Sequence, residues 1–302
     1  EACASTGRLS SRASIFRLAL LLSLLGIGLA VGAAALQAYK WLPLLLSIPA
    51  SIATCVAVWI YERPVSASLA KTSLYVFLSF ALQPNLIVLF KWYKATDENC
   101  DPAEEVDELR VYPLPCFSAD FVGWLDVAGE IAFLGALALY HTFLSGWRYR
   151  RVISAIQVAL VAVNLLDLAW VSRLNLAVGI PDWCFALGAE LMQPLIDFIL
   201  FIPLFSLLAR LCPAEAQGTA FAINMGLLWL GRAVASYLGM GMLAMLGGVE
   251  PPEFQYLRLL VLLRSLTRAL PIGLVWLLPP GDPLSHIDGE VTAEPTAATP
   301  AV

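Results

Sequence analysis

Charge is scarce in this sequence. Asp, Glu, Lys and Arg make up 14% of the 302 residues and hydrophobic residues 60%, whereas a soluble domain is about 25% charged. That deficit excludes an ordinary soluble domain. Histidine occurs twice, and the six cysteines (Cys3, Cys55, Cys100, Cys116, Cys184, Cys212) contain no CxxC pair, so neither a metal site nor a thioredoxin-like motif is expected. There is no phosphate loop and no nucleophile–base constellation. No segment between apolar runs is long enough to form a catalytic domain. An enzyme is therefore the weakest class, and neither cofactor nor metal is expected. The net charge of −5 comes mostly from one acidic loop and an acidic tail, which gives no reason to expect nucleic acid as a partner. No signal peptide precedes the first apolar run, and the first residue is Glu1 rather than Met, which suggests an N-terminally incomplete chain.

What is abundant is long apolar runs. Gly179 to Leu230 holds two of them, joined at a polar hinge from Ala209 to Gln217, and each carries ionisable residues. Runs of this length read as membrane spans. An ionisable side chain within a span is costly, so it marks either a substrate or ion pathway or a buried ion pair.

Taken in order, residues 1–13 are small, polar and basic. Two spans follow, Ser14 to Leu36 and Trp41 to Tyr61, which with their short join make up residues 14–61. Residues 62–71 form a polar linker. A third span, about Thr72 to Phe90, is interrupted by Gln83, Pro84 and Asn85. An acidic insert, residues 94–116, cannot lie in lipid. Further spans run over Ala119 to Leu144, Val152 to Leu174, Asp182 to Leu208, Gly218 to Leu246 and Phe254 to Leu278, so that residues 72–279 contain six spans. Residues 280–302 read as a disordered tail. The fold class is therefore an all-α, multi-pass membrane bundle of about eight transmembrane helices.

Eight spans put both termini on one side. Lys and Arg number nine in the segments of that side and five opposite, with Arg232, Arg258, Arg264 and Arg268 inside spans. The positive excess predicts cytoplasmic termini and an exoplasmic insert. Cys100 and Cys116 in that insert either close a disulfide or remain two free thiols.

Measured from the span ends, Gln83, Glu130, Asn164, Asp197 and Arg232 all fall near the middle of the bilayer, on five helices. Glu190, Gln193 and Asp197 form one polar stripe, as do Gln157, Asn164 and Asp167, and Asp126 and Glu130 share a face. Transporters commonly bind substrate and coupling ion at this depth. The alternative is that the acids simply neutralise arginines. Arg232 needs an anionic partner, for which Glu190 or Asp197 is expected, whereas Arg264 and Arg268 read as counter-ions.

Two motifs carry a resemblance: Asn175, Gly179, Ile180, Pro181 and Asp182 before one span, then Arg210, Leu211, Cys212, Pro213, Gly218, Thr219, Phe221 and Ala222 at the next. Their pattern and separation resemble the folate-biopterin transporter family, a branch of the major facilitator superfamily. Gln217 and Ala189 depart from it, since the family has acids at both places. The resemblance implies a major-facilitator-like C-terminal six-helix half preceded by the last two helices of the N-terminal half. It also implies that Gln83, Asn85, Asp126, Glu130, Glu190, Gln193, Asp197, Asn224 and Arg232 line the cavity.

The function expected is secondary active transport of a pterin, a folate or another organic anion, coupled to protons, in a plasma or organelle membrane. Substrate binding is assigned to Gln83, Asn85, Gln193, Asn224 and Arg232, and proton coupling to Glu130, Glu190 and Asp197. The alternative is a non-transporting membrane remnant or assembly subunit. The expected partners are lipid, the organic anion and protons.

Overall fold

The computed structural model describes residues 2–35, 42–94, 100, 114–212, 217–247 and 254–280. Most of the acidic insert and all but the first residue of the tail lie outside this set. Ten α-helices are described: α1 (Ala2–Ala35), α2 (Leu42–Glu62), α3 (Ala67–Ala81), α4 (Ile87–Tyr93), α5 (Ala119–Leu139), α6 (Tyr149–Val171), α7 (Leu174–Ala177), α8 (Asp182–Leu211), α9 (Gln217–Leu246) and α10 (Leu257–Leu274). A π-helical turn, Tyr140–Leu144, extends α5. No named strand occurs among the described residues.

Among the described residues, seven helices are long and apolar enough to cross a membrane. The outward faces of the bundle are apolar as well: on α1, Phe16, Leu20, Leu24, Ile27 and Val31 are each more than half exposed. Such a face is soluble only in lipid, and the chain is an integral, multi-pass membrane protein. Between helices that are already in lipid, the hydrophobic effect offers little, and close packing and polar contacts hold the bundle.

The third expected span departs from the sequence reading, because it is two helices rather than one. Ser66 caps α3 by accepting from the Leu69 amide, so the helix starts inside the stretch expected to be linker. It stops at Ala81, where Pro84 removes an amide and crowds the preceding turn. At about 1.5 Å per residue, α3 and α4 together reach roughly 33 Å, enough for a bilayer core, whereas neither does alone. Backbone freed at this depth must find a partner in the protein. The Asn85 amide donates to the Ala235 carbonyl of α9 at 3.4 Å. Directly opposite, Gly239 lies so close that a Cβ there would run into the Asn85 carbonyl oxygen.

Three packed clusters fill the interior. One joins α3, α6, α8 and α9 around Tyr75, Ile153, Leu160 and Leu204. Another joins α1, α2, α3 and α9 around Leu18, Val58, Phe77 and Leu227. The third lies at the end of the bundle that carries the insert, where Trp92 and Tyr93 of α4 meet Trp170 of α6. There the Trp170 ring stacks on Tyr93 at 5.6 Å and meets Trp92 edge-on at 5.2 Å. Cys100 and Cys116 are joined by a disulfide, and the Phe117 amide donates to the Tyr93 carbonyl at 2.9 Å. The base of the insert is thereby fastened to the end of α4.

Candidate functional site

The polar stripe of α8 lies half-buried and faces neighbouring helices. Glu190, Gln193 and Asp197 fall at helical spacings beside Pro194. Glu190 accepts a hydrogen bond from the Tyr93 hydroxyl of α4 at 2.9 Å. One turn further, Gln193 bridges two elements, accepting from Arg268 Nη1 of α10 at 2.9 Å and donating to Asp197 Oδ2 at 2.9 Å. Arg264, one turn from Arg268, lies 3.5 Å from Asp167 Oδ2 of α6. Asp126 of α5 is a further charge acting on Glu190. The hydrogen bonds and ion pair among these residues join four helices, α4, α6, α8 and α10.

The network is incomplete. Asp197 Oδ1, Arg264 Nε and Arg268 Nε are buried without a hydrogen-bond partner among the described residues. A buried polar atom left unpaired costs about 1–3 kcal/mol, so these atoms are places where water or a ligand group would be stabilised. Two arginines face three carboxylates here, Asp167, Glu190 and Asp197. With every group ionised these five side chains alone would carry one surplus negative charge, which a low-dielectric interior disfavours.

Arg232 has different neighbours from those expected. Its guanidinium sits over the rings of Phe80, Phe201 and Trp229, at 5.5, 5.4 and 5.2 Å from their centres, and makes no ion pair among the described residues. Glu190 and Asp197 are engaged by Tyr93 and Gln193 instead. The expected Arg232 pairing is corrected accordingly: aromatic faces carry negative potential, and three of them hold a cation without a carboxylate. Arg264 is the counter-ion it was expected to be, whereas Arg268 reaches Gln193, a residue assigned to substrate.

The remaining expected residues are dispersed. Gln83 is buried at the α3–α4 break with its amide nitrogen unpartnered, while Asn85 beside it is exposed. Asn224 is fully buried and donates to its own helix at the Ala220 carbonyl, 3.0 Å away, leaving its oxygen unpartnered. Asn164 and Gln157 are also buried, the latter donating to the Tyr75 hydroxyl at 3.3 Å. Glu130 is exposed on α5 and has no hydrogen bond or ion pair among the described residues. Tyr93 escaped the sequence reading because an aromatic near a span end ordinarily marks the lipid–water interface.

The first motif lies at the start of α8 and adjoins the network through Trp170, whose ring stacks on Tyr93, and the second runs from the end of α8 to the start of α9. At the first, a single Asp182 oxygen accepts from Trp170 Nε1 at 2.9 Å, Arg173 Nη1 at 2.6 Å and Asn175 Nδ2 at 2.8 Å. Asn175 also donates to the Ile180 carbonyl and receives the Ile180 amide. Gly179 takes a left-handed φ of +80°, which glycine adopts without steric cost. Pro181 then leads into the helix, and Asp182 places its charge at the positive end. This motif is a clamp on the α6–α8 connection. At the other end Arg210, Gly218 and Thr219 are exposed and Cys212 is buried, while Pro213 lies outside the described residues.

The model of the BT1 family matches residues 20–298. A protein of Arabidopsis thaliana named probable folate-biopterin transporter 6 is 33% identical over 225 residues, 74% of this chain and 41% of that protein. The folate-biopterin transporter of Synechocystis sp. is 32% identical over 167 residues, 55% of this chain and 34% of its own. The chain thus spans about two fifths of the length of the first of these relatives. No solved structure matches the chain. A family match over nearly the whole described chain means that the chain belongs to the BT1 family.

Proposed function

We propose that the chain forms part of a secondary active transporter for an organic anion of the folate or pterin class, driven by protons and built on the major facilitator plan. The observation that carries this reading is the set of charged side chains held inside the membrane-spanning helices α6, α8 and α10. Such groups are expensive there and are retained where an ion or substrate passes. The names of the relatives supply the substrate class. In this reading Arg232, in its aromatic enclosure, takes a substrate carboxylate, because a planar fork of donors suits that group. Gln83, Asn85, Gln193 and Asn224 read the edge of the heterocycle. Glu190 or Asp197, with Glu130 as the exposed third acid, carries the coupled proton.

Uptake of labelled folate or biopterin into proteoliposomes, with and without an inward proton gradient, tests the assignment. Uptake that the gradient accelerates supports it. Uptake that ignores the gradient removes proton coupling, and transport of neither compound removes the substrate class.

One observation favours a second reading, a non-transporting membrane component. Asp126 and Glu130 are both exposed on one face of α5, and carboxylates at that depth do not face lipid. A subunit that assembles through this face would co-purify with a partner and show no uptake of its own.

A further inference from the structure

A groove of about 500 Å³ runs between α1 and α9, lined among others by Ala19, Ser23 and Gly26 of the first helix and Ala222, Gly226 and Trp229 of the second. Its small residues leave it unfilled: a Cβ added to Gly26 or to Gly226 would meet nothing within 4 Å. Trp229, one turn after Gly226, is 60% exposed although it lies near the middle of α9, whose 30 residues run from Gln217 to Leu246. Tryptophans of membrane proteins gather instead at the two lipid–water interfaces, where the indole N–H finds a partner. Here the N–H makes no hydrogen bond among the described residues. The same indole lies under the Arg232 guanidinium, 5.2 Å from its ring centre, and that cation has no carboxylate among the described residues.

We propose that Trp229 is a substrate-binding residue: in the α1–α9 groove its indole stacks an aromatic ring of the substrate, while Arg232 beside it takes a carboxylate of the same molecule. This rests on the reading of the chain as part of an organic-anion transporter and narrows the substrate class within it, to anions that join a flat ring to a carboxylate through a short link. Three observations select that class. The guanidinium of Arg232 calls for an anion, since a cation at this depth is costly without one. The exposed indole offers a flat apolar face, which suits an aromatic ring in offset stacking. The small residues of both helix walls leave room for a thin, planar body. A lipid acyl chain would fill the groove but brings no charge to the middle of the bilayer, so it leaves Arg232 as it is. The p-aminobenzoylglutamate portion of folate has the required form. Biopterin, which has no carboxylate, lacks it.

Two probes separate the ring from the charge: p-aminobenzoylglutamate, which has both, and N-acetylglutamate, which has the carboxylates without the ring. Their dissociation constants are measured on the full chain in lipid nanodiscs. Trp229→Ala should weaken p-aminobenzoylglutamate about tenfold, the usual loss when an aromatic platform is cut back, and leave N-acetylglutamate unchanged. Trp229→Phe, which keeps a ring, should recover most of the loss, and Arg232→Gln should weaken both probes. Gly226→Leu keeps Trp229 and Arg232 and fills the groove beside them, so it should weaken p-aminobenzoylglutamate alone. The proposal is overturned if the parent binds neither probe, as a lipid-filled groove would, or if Trp229→Ala leaves p-aminobenzoylglutamate unchanged. It is overturned as well if Trp229→Ala weakens both probes alike, because the indole then acts only by holding Arg232. Folate uptake into proteoliposomes is measured alongside. The expected binding pattern without uptake removes transport and leaves the site, whereas uptake at the parent's level in Trp229→Ala removes the site and leaves transport.

Discussion

The guanidinium of Arg232 on α9 lies 5.4 Å from the ring centre of Phe201 on α8, and it sits over the rings of Phe80 and Trp229 as well. The charge is thus stabilised by ring faces, each worth about 0.5–2 kcal/mol, while the guanidinium has no carboxylate among the described residues. Arg232→Gln is expected to abolish uptake of an anionic folate while leaving the protein in the membrane. Arg232→Lys keeps the charge over the rings and loses the planar fork, so KM should rise about tenfold. Uptake kinetics and membrane content of the two variants check this. Full activity in the Gln variant would show that the cation serves packing alone.

Asp182 is expected to matter for stability rather than for substrate. Its single oxygen holds Trp170, Arg173 and Asn175, and its removal takes this carboxylate away from the Arg173 guanidinium, which is 4% exposed. Breaking a buried pair from one side costs about 3–5 kcal/mol. Asp182→Ala should therefore lower the melting temperature in detergent markedly, and Asp182→Asn, which keeps an acceptor, should do so less. Equal melting of parent and Ala variant would remove the clamp.

Gly239→Ala probes the α3–α4 break. The added methyl meets a backbone carbonyl, that of Asn85, which cannot rotate away as a side chain would. Overpacking of this kind costs about 1–3 kcal/mol, and here it would also shift the broken segment. Gly226→Ala on the same helix meets nothing within 4 Å and should be neutral or mildly stabilising. Thermal stability and uptake of the two proteins should separate them clearly.

Cys212, just past the end of α8, should resist alkylation at neutral pH. Burial pushes its thiol up to about 11 from 9.0, with the Glu62 carboxylate adding to the effect. The thiolate is the reactive form, so a raised value means less of it at pH 7 to 9, and the rate should keep climbing past pH 9 rather than level off there. Maleimide labelling against pH, read at Cys212 by peptide mapping, measures this. A plateau near pH 9 would contradict the burial argument.

The side of the membrane that carries the insert can be read from its disulfide. With the positive excess inside, Cys100 and Cys116 should be outside. After reduction of intact cells, an impermeant thiol reagent should label them without permeabilisation. Labelling only after the membrane is opened would reverse the orientation.

Hydropathy is a sum over neighbours in the chain, so it was legible from the sequence alone: the membrane class, the seven crossing helices within a few residues, and the interruption at Pro84. The motif residues Asn175, Gly179 and Asp182 were legible as a family signature, but their work as a clamp was not, since three donors meeting on one oxygen is a fact of folded geometry. Partnership was decided only by the tertiary structure. Which way a polar stripe points depends on how each helix is rotated against its neighbours, and spacing along one helix carries no record of that. Arg232 therefore met aromatic rings where a carboxylate was expected, Arg268 reached across to Gln193, and the hydroxyl of Tyr93 found Glu190 on a helix that begins 89 residues later.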